Sequence, residues 1–218
     1  MKYSLVIFDL DGTLVNSIRD LGNSVNITLR AMGLPEHDIE SYKMMVGHGV
    51  RNLVRNASPE ALKDDQQMQE RLLSRFFEEY ERHIADFTRP YPGMEALLRV
   101  LQDQGIKLAI ASNKFQKGTE ILAAKLFPDI RFGAVMGNCP GAPLKPDPAV
   151  VTTIIDRVNE SPERCLMVGD SGTDIKTAEA AGIDCVAVSW GFRKREELCK
   201  LCGRVVDSAE ELQAAILG

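Results

Sequence analysis

Leu5-Val6-Ile7-Phe8-Asp9-Leu10-Asp11-Gly12-Thr13-Leu14 runs four apolar residues straight into a pair of carboxylates. An unbroken run of this kind reads as a strand buried on both faces, which is the pattern of a parallel sheet. Such a strand ends inside the protein, where uncompensated charge is costly, so the two acids there require a cation or a proton. Residues two apart in extended backbone project to the same side, which places Asp9 and Asp11 together and Leu10 opposite. Gly12 permits a sharp turn with a ligand close to the backbone, and Thr13 adds a hydroxyl and an amide beside the acids.

Working outward, Ser17 is positioned to cap a helix from Ile18 to about Met32, which Gly33 terminates. Leu72, Leu73, Phe76, Phe77 and Tyr80 recur at three- and four-residue steps, one face of a further helix. No strand signal of comparable strength interrupts this region before Arg89-Pro90-Tyr91-Pro92-Gly93, a cluster suited to a hinge. From Gly93 onward helices and strands alternate. Helices are expected near 94–104 and 117–125, and strands at 106–111, 132–136, 165–168 and 184–188. That rhythm predicts a parallel α/β sheet covered by helices on both faces. The sheet domain is therefore discontinuous, residues 1–14 and 91–218, and 15–90 form a helical insert.

With 44% hydrophobic and 26% charged residues in 218, the chain has the composition of an ordinary globular protein. A net charge of −5 argues against a nucleic-acid surface. No apolar run approaches the roughly 20 residues of a membrane span, and the N-terminus shows no signal-peptide pattern, so a cytoplasmic location away from membranes is expected. Five scattered cysteines fit reduced thiols. The one close pair, Cys199-Lys200-Leu201-Cys202, lacks the partners of a zinc site and reads as small apolar helix residues.

Ligands of parallel sheets sit beyond the carboxyl ends of the strands. There the chain places Asp9 and Asp11, then Ser112-Asn113-Lys114, then Gly169-Asp170-Ser171-Gly172-Thr173-Asp174, with Leu144-Lys145-Pro146-Asp147-Pro148 between the last two. Singly, each has a plain alternative: Ser112 as a turn residue, Lys145 as a solvated cation, Asp170 and Asp174 as helix caps. Jointly, a pair of acids, a hydroxyl, a lysine and a second acid cluster converge on one crevice.

Asp9-Leu10-Asp11-Gly12-Thr13-Leu14, Ser112-Asn113, Lys145 and Gly169-Asp170-Ser171-x-x-Asp174 resemble the four motifs of the haloacid dehalogenase-like superfamily, and the likeness extends over the whole chain. The length, the insert and Val46-Gly47-His48-Gly49-Val50 are most similar to its phosphoglycolate phosphatase and beta-phosphoglucomutase branch. The resemblance implies a Rossmann-like core with an inserted helical cap domain that closes over the site. It implies Mg²⁺ held by Asp9, the backbone carbonyl of Asp11, and Asp170. Asp9 would be the nucleophile and Asp11 the general acid and base. Ser112 and Lys145 would stabilise the transferring phosphoryl group, Gly12, Thr13 and Asn113 would line the phosphate, and Ser171 and Asp174 would support them. His48, Gly49, Arg51 and Arg55 of the insert are candidates to meet a second anionic group of a small phosphorylated substrate. The implied activity is a Mg²⁺-dependent phosphatase working through an aspartyl phosphate, phosphoglycolate being the first substrate to try. A sugar-phosphate mutase and a receiver-type signalling module are the alternatives, and the chain is expected to act as a monomer or homodimer.

Overall fold

Strand β1 (Leu5–Phe8) has no solvent exposure at any of its four residues. The computed structural model describes residues 2–218. The chain divides into two compact units, one of residues 1–16 and 90–218, the other of 17–89.

In the first unit β1 is followed by β2 (Val15–Asn16). After the second unit come β3 (Arg89–Pro90), α4 (Met94–Asp103), β4 (Lys107–Phe115), α5 (Gln116–Leu126), β5 (Phe132–Asn138) and α6 (Ala149–Val158). The chain ends with β6 (Cys165–Gly169), α7 (Gly172–Ala181), β7 (Asp184–Val188), α8 (Arg195–Leu198), β8 (Val205–Val206) and α9 (Ala209–Leu217). Six strands form one sheet in the order β5-β4-β1-β6-β7-β8, all neighbours parallel. The chain leaves β1 toward β4 and β5, then returns to its other side for β6, β7 and β8. Strand order thus reverses at β1, and it is beyond the carboxyl ends of β1, β4 and β6 that the ligand crevice of such a sheet lies. Phe8 lies level with Ile110 and Val168, so the residues following all three strands reach that crevice in step.

One face of the sheet packs Leu5, Ile7, Ala109, Ala111 and Met167 against Val151, Ile154 and Ile155 of α6 and Ala178 of α7. Each large apolar side chain fully buried this way contributes about 1.5–3 kcal/mol. The result is a stiff platform under the polar residues at the strand ends.

Three local features differ from expectation. Strand β4 continues to Phe115, past the predicted end at Ala111, with its register against β5 shifted between Ala111 and Phe115. Ser112, Asn113 and Lys114 are buried polar residues, so the apolar signal stops before the strand does. The pair Asp147-Pro148 reads in sequence as a helix cap and first helical position, whereas Pro148 itself occupies the N-cap of α6 and Asp147 Oδ1 accepts the Ala149 N–H at 2.9 Å. Cys199 and Cys202 lie beyond the four-residue α8: Cys199 is exposed, and Cys202 packs part-buried beside Ile175, Ala187 and Leu198.

The second unit contains α1 (Ile18–Ala31), α2 (Val50–Ala57) and α3 (Gln66–His83). Leu21, Val25 and Leu29 of α1, Leu53 and Val54 of α2, and Leu72, Phe76 and Tyr80 of α3 form its buried interior. The Phe76 and Tyr80 rings stack at 5.2 Å. Ser17 sits at the N-cap of α1 without a side-chain capping bond. The strong carboxylate contact is made instead by Asp20, 1% exposed, which accepts the Phe87 N–H, the Thr88 N–H and the Thr88 hydroxyl at 2.7–3.0 Å. Among the described residues, no helix is long and apolar enough to cross a membrane.

Candidate active site

The Asp9 N–H donates to the Val168 carbonyl at 2.9 Å, extending the sheet ladder one residue past β1 and anchoring the backbone under the Asp9 carboxylate. Its Oδ1 accepts from Lys145 Nζ at 2.8 Å. The same ammonium donates to Asp174 Oδ1 at 2.7 Å and to the Ala111 carbonyl at 2.8 Å, so all three of its N–H groups are used. Lys145 is held at its backbone by Asn113, whose side-chain amide takes the Lys145 N–H at 2.8 Å and donates to the Lys145 carbonyl at 3.0 Å. That reciprocal pair ties the Lys145 loop to the end of β4. Asp174 is fixed from the other side, where its Oδ2 accepts the Ser171 hydroxyl at 2.6 Å and the Ser171 N–H at 3.2 Å. This is a capping box at the start of α7. The cap has become a bridge from helix to lysine.

Asp170 is 3% exposed and its Oδ2 accepts the Phe192 N–H at 2.6 Å. Two glycines make room for it. A Cβ on Gly12, whose φ is +94°, would lie 2.3 Å from Asp170 Oδ2, and one on Gly191 would lie 2.3 Å from the same oxygen. Gly12→Ala therefore meets both backbone strain and a collision with a buried carboxylate. We expect it to cost on the order of 1–3 kcal/mol in a thermal melt, together with most of the activity.

Thr13 is fully buried, its carbonyl accepts the Trp190 indole N–H at 3.1 Å, and its hydroxyl oxygen has no hydrogen-bond partner. Ser112 is 4% exposed and its Oγ accepts the Lys114 N–H at 3.2 Å. Lys114 Nζ lies 3.3 and 3.2 Å from the two oxygens of Asp11.

Four carboxylates, Asp9, Asp11, Asp170 and Asp174, thus face two ammonium groups, Lys114 and Lys145. Burial raises the Asp9 carboxyl to about 7, against the attraction of Lys145 and with the repulsion of Asp174 and Asp11. Burial likewise pushes Asp170 well above the carboxylate range, helped by Asp174 and Asp9. Burial opposes the charge on Lys145, but Asp174 and Asp9 outweigh it and raise its pKa above that of an ordinary lysine. The cluster is short of positive charge. Carboxylate oxygens of Asp9, Asp170 and Asp174 lie within 4.8 Å of one another, the one such group among the described residues. An all-oxygen, buried, net-negative donor set fits a small hard divalent cation. Both Asp174 oxygens are engaged by Lys145 and Ser171, which leaves Asp9 and Asp170 as the carboxylates best placed to hold one.

In the helical unit, His48 is exposed on the segment before α2. Arg51 and Arg55 lie on the exposed face of α2, the first paired with Glu70 of α3 and the second with Asp64 at 2.9 Å.

Sequence reasoning placed Lys114 at a strand end but gave it no role, and it did not single out the segment Trp190-Gly191-Phe192. Lys114 follows directly on Ser112-Asn113, which was a usable signal. Phe192 acts through its main-chain N–H and Gly191 through lacking a side chain, and neither has a residue-type signature.

The chain matches the haloacid dehalogenase-like hydrolase family model over residues 6–188. It is 37% identical over 196 residues to a phosphoglycolate phosphatase of Mesorhizobium japonicum, covering 89% of this chain and 86% of that one. To a phosphoglycolate phosphatase of Aquifex aeolicus it is 31% identical over 190 residues, covering 87% and 86%. A crystal structure from Lactobacillus delbrueckii subsp. bulgaricus, a phosphoglycolate phosphatase by assignment only, superposes with a TM-score of 0.93 over 100% of both chains at 33% identity. A family match across most of the sheet unit and all of the helical one, with relatives this similar over nearly their whole length, means that the chain is an enzyme of the haloacid dehalogenase-like hydrolase family.

Proposed function

We propose that the protein is a Mg²⁺-dependent phosphatase of small phosphorylated metabolites, with phosphoglycolate as the leading substrate. One observation carries the reading: Lys145 joins Asp9 to Asp174 in a buried cluster that also holds Asp170 and borders Asp11. The names of the relatives supply the substrate class.

In this reading Asp9 attacks phosphorus and the P–O bond to the leaving group breaks, giving an aspartyl phosphate that water then hydrolyses. Asp11 delivers a proton to the departing oxygen and later accepts one from that water. Lys145 and Ser112 stabilise charge on the phosphoryl oxygens, the interaction that dominates catalysis of this transfer. The buried Thr13 hydroxyl, Gly12 and Asn113 border the same space. Asp9, the Asp11 carbonyl and Asp170 would hold Mg²⁺, which when bound offsets the negative charge of carboxylates and phosphate. The helical unit of residues 17–89 acts as a cap that excludes water, with His48 and Arg51 available to a second anionic group of the substrate.

Phosphate release from a panel of phosphorylated metabolites, with and without Mg²⁺, tests this directly. Mg²⁺-dependent release, highest for a short phosphorylated carboxylic acid, is expected. No release from any ester would overturn it, and isomerised sugar phosphate without free phosphate would make it a mutase.

The Asp9 carboxyl gives a second test. Raised from 3.8 to about 7, it binds a proton in the folded but not the unfolded chain between those values. The sign is therefore a contribution to stability that falls as pH rises through that window in metal-free protein. Mg²⁺ competes with that proton, so it should raise the melting temperature more at about pH 8 than at about pH 5.5. Equal stabilisation at both would place the metal away from Asp9.

A further inference from the structure

Lys114 is almost fully buried, at 2% side-chain exposure, against 17% for Asp11. Its ammonium straddles both Asp11 oxygens, at 3.3 and 3.2 Å, with no shorter contact to either. Its backbone is held by the Ser112 Oγ at 3.2 Å, in the stretch of β4 where the register against β5 shifts. A buried lysine costs desolvation energy and is rare without a partner of opposite charge. Lys145 is already committed to Asp9, Asp174 and Ala111, and Lys114 serves Asp11. Asp11 is the more exposed member of its pair with Lys114, 17% against 2%, and the buried ammonium meets both of its oxygens.

We propose that Lys114 is the positioning residue for the Asp11 carboxylate, holding it turned toward the leaving oxygen of the substrate. An ammonium bridging both oxygens can keep one while the other turns to carry a proton. Asp11 thus changes its hydrogen-bond partner without losing its place. The effect is geometric and acts through Asp11, so it matters only where Asp11 matters. The inference rests on the phosphatase reading given above.

That dependence supplies the test. Alkyl phosphates have poor leaving groups that need a proton, whereas p-nitrophenyl phosphate departs as a stable anion and needs little acid assistance. With the Mg²⁺-loaded full chain, Lys114→Met should lower kcat on phosphoglycolate by about 10–100-fold, within the range of general acid catalysis, and change the first-turnover rate of p-nitrophenolate release from p-nitrophenyl phosphate, which precedes any use of Asp11 as a base, by less than about threefold. On an Asp11→Asn background, Lys114→Met should cost less than about threefold on either substrate, because the group it positions is gone. Lys114→Gln, which can still donate to Asp11, should recover part of the loss and serves as the check if the Met variant melts early. First-turnover p-nitrophenolate release slowed as much as phosphoglycolate turnover, or a full further loss on the Asp11→Asn background, would overturn the proposal. Wild-type protein releasing phosphate from no ester of the metabolite panel would overturn the phosphatase reading itself, and this inference with it.

Discussion

Asp9→Asn protein should fold as the wild type does and release no measurable phosphate. The substitution removes one oxygen's nucleophilicity and one negative charge while keeping the side chain's size. The Asn carbonyl oxygen can still accept from Lys145, which donates to Asp9 at 2.8 Å in the native site. Because burial disfavours the Asp9 charge, its removal relieves the crowding of carboxylates around Asp170 and Asp174. Metal-free stability should therefore match or exceed that of the wild type, most visibly near pH 8. Activity has no such compensation. Uncatalysed monoester hydrolysis is so slow that rate factors approach ~10²¹, and covalent enzymes lose on the order of 10⁶ in kcat when the nucleophile goes. Steady-state phosphate release and a melt on the same preparation check both halves. Activity within about tenfold of wild type would remove Asp9 from the nucleophile's role.

The parts of this molecule that were legible in the sequence are those in which a side chain's type and its period point the same way. Leu5 to Phe8 reads as a doubly buried strand because every residue is apolar, and every one is buried. The acids after it attract notice because charge at the end of such a strand is expensive. Lys145 was legible only in company: alone it reads as a solvated cation, and it gains meaning from the strand-end clusters on either side of it, which the sheet order brings together. Asp174 reads as a helix cap, and it is one, but its second oxygen belongs to Lys145. Periodicity reports one role per residue, so double use escapes it. Lys114 escaped for a related reason, since lysine is assigned to solvent by default and its burial comes from a register shift that no pattern of apolar residues announces. The Gly191-Phe192 backbone escaped because main-chain donors are common to all sequences.

Lys145→Met should damage both stability and turnover, and the two losses should part company with pH. The methionine fills much of the same volume, so packing against Ala111 changes little, while three donated hydrogen bonds disappear. Asp9 and Asp174 then remain buried without their common cation. Removing one partner of a buried ion pair costs about 3–5 kcal/mol, which for a chain of this size corresponds to a fall in melting temperature of roughly 10 °C. The Lys145 pKa is raised, so in the wild type its contribution is present in full at all pH values below the ordinary lysine range. Any pH dependence of the deficit must therefore come from the carboxylates. Without the ammonium, Asp9 holds its proton to still higher pH, so the folded variant is penalised progressively as pH rises from about 6 to about 8.5. The deficit should widen over that range, and Mg²⁺ should recover part of it by supplying charge to the same oxygens. Turnover should fall by about 10²–10³, the usual loss when a positioned donor to a developing charge is removed, and should not return with Mg²⁺. Lys145→Arg should fare little better, because a planar guanidinium cannot aim three donors at the convergent oxygens an ammonium reaches. Melts of wild type and both variants across this pH range, with and without Mg²⁺, distinguish the outcomes. A deficit that stays constant with pH would mean that Lys145 only fills space, and the charge balance argued for the site would be wrong.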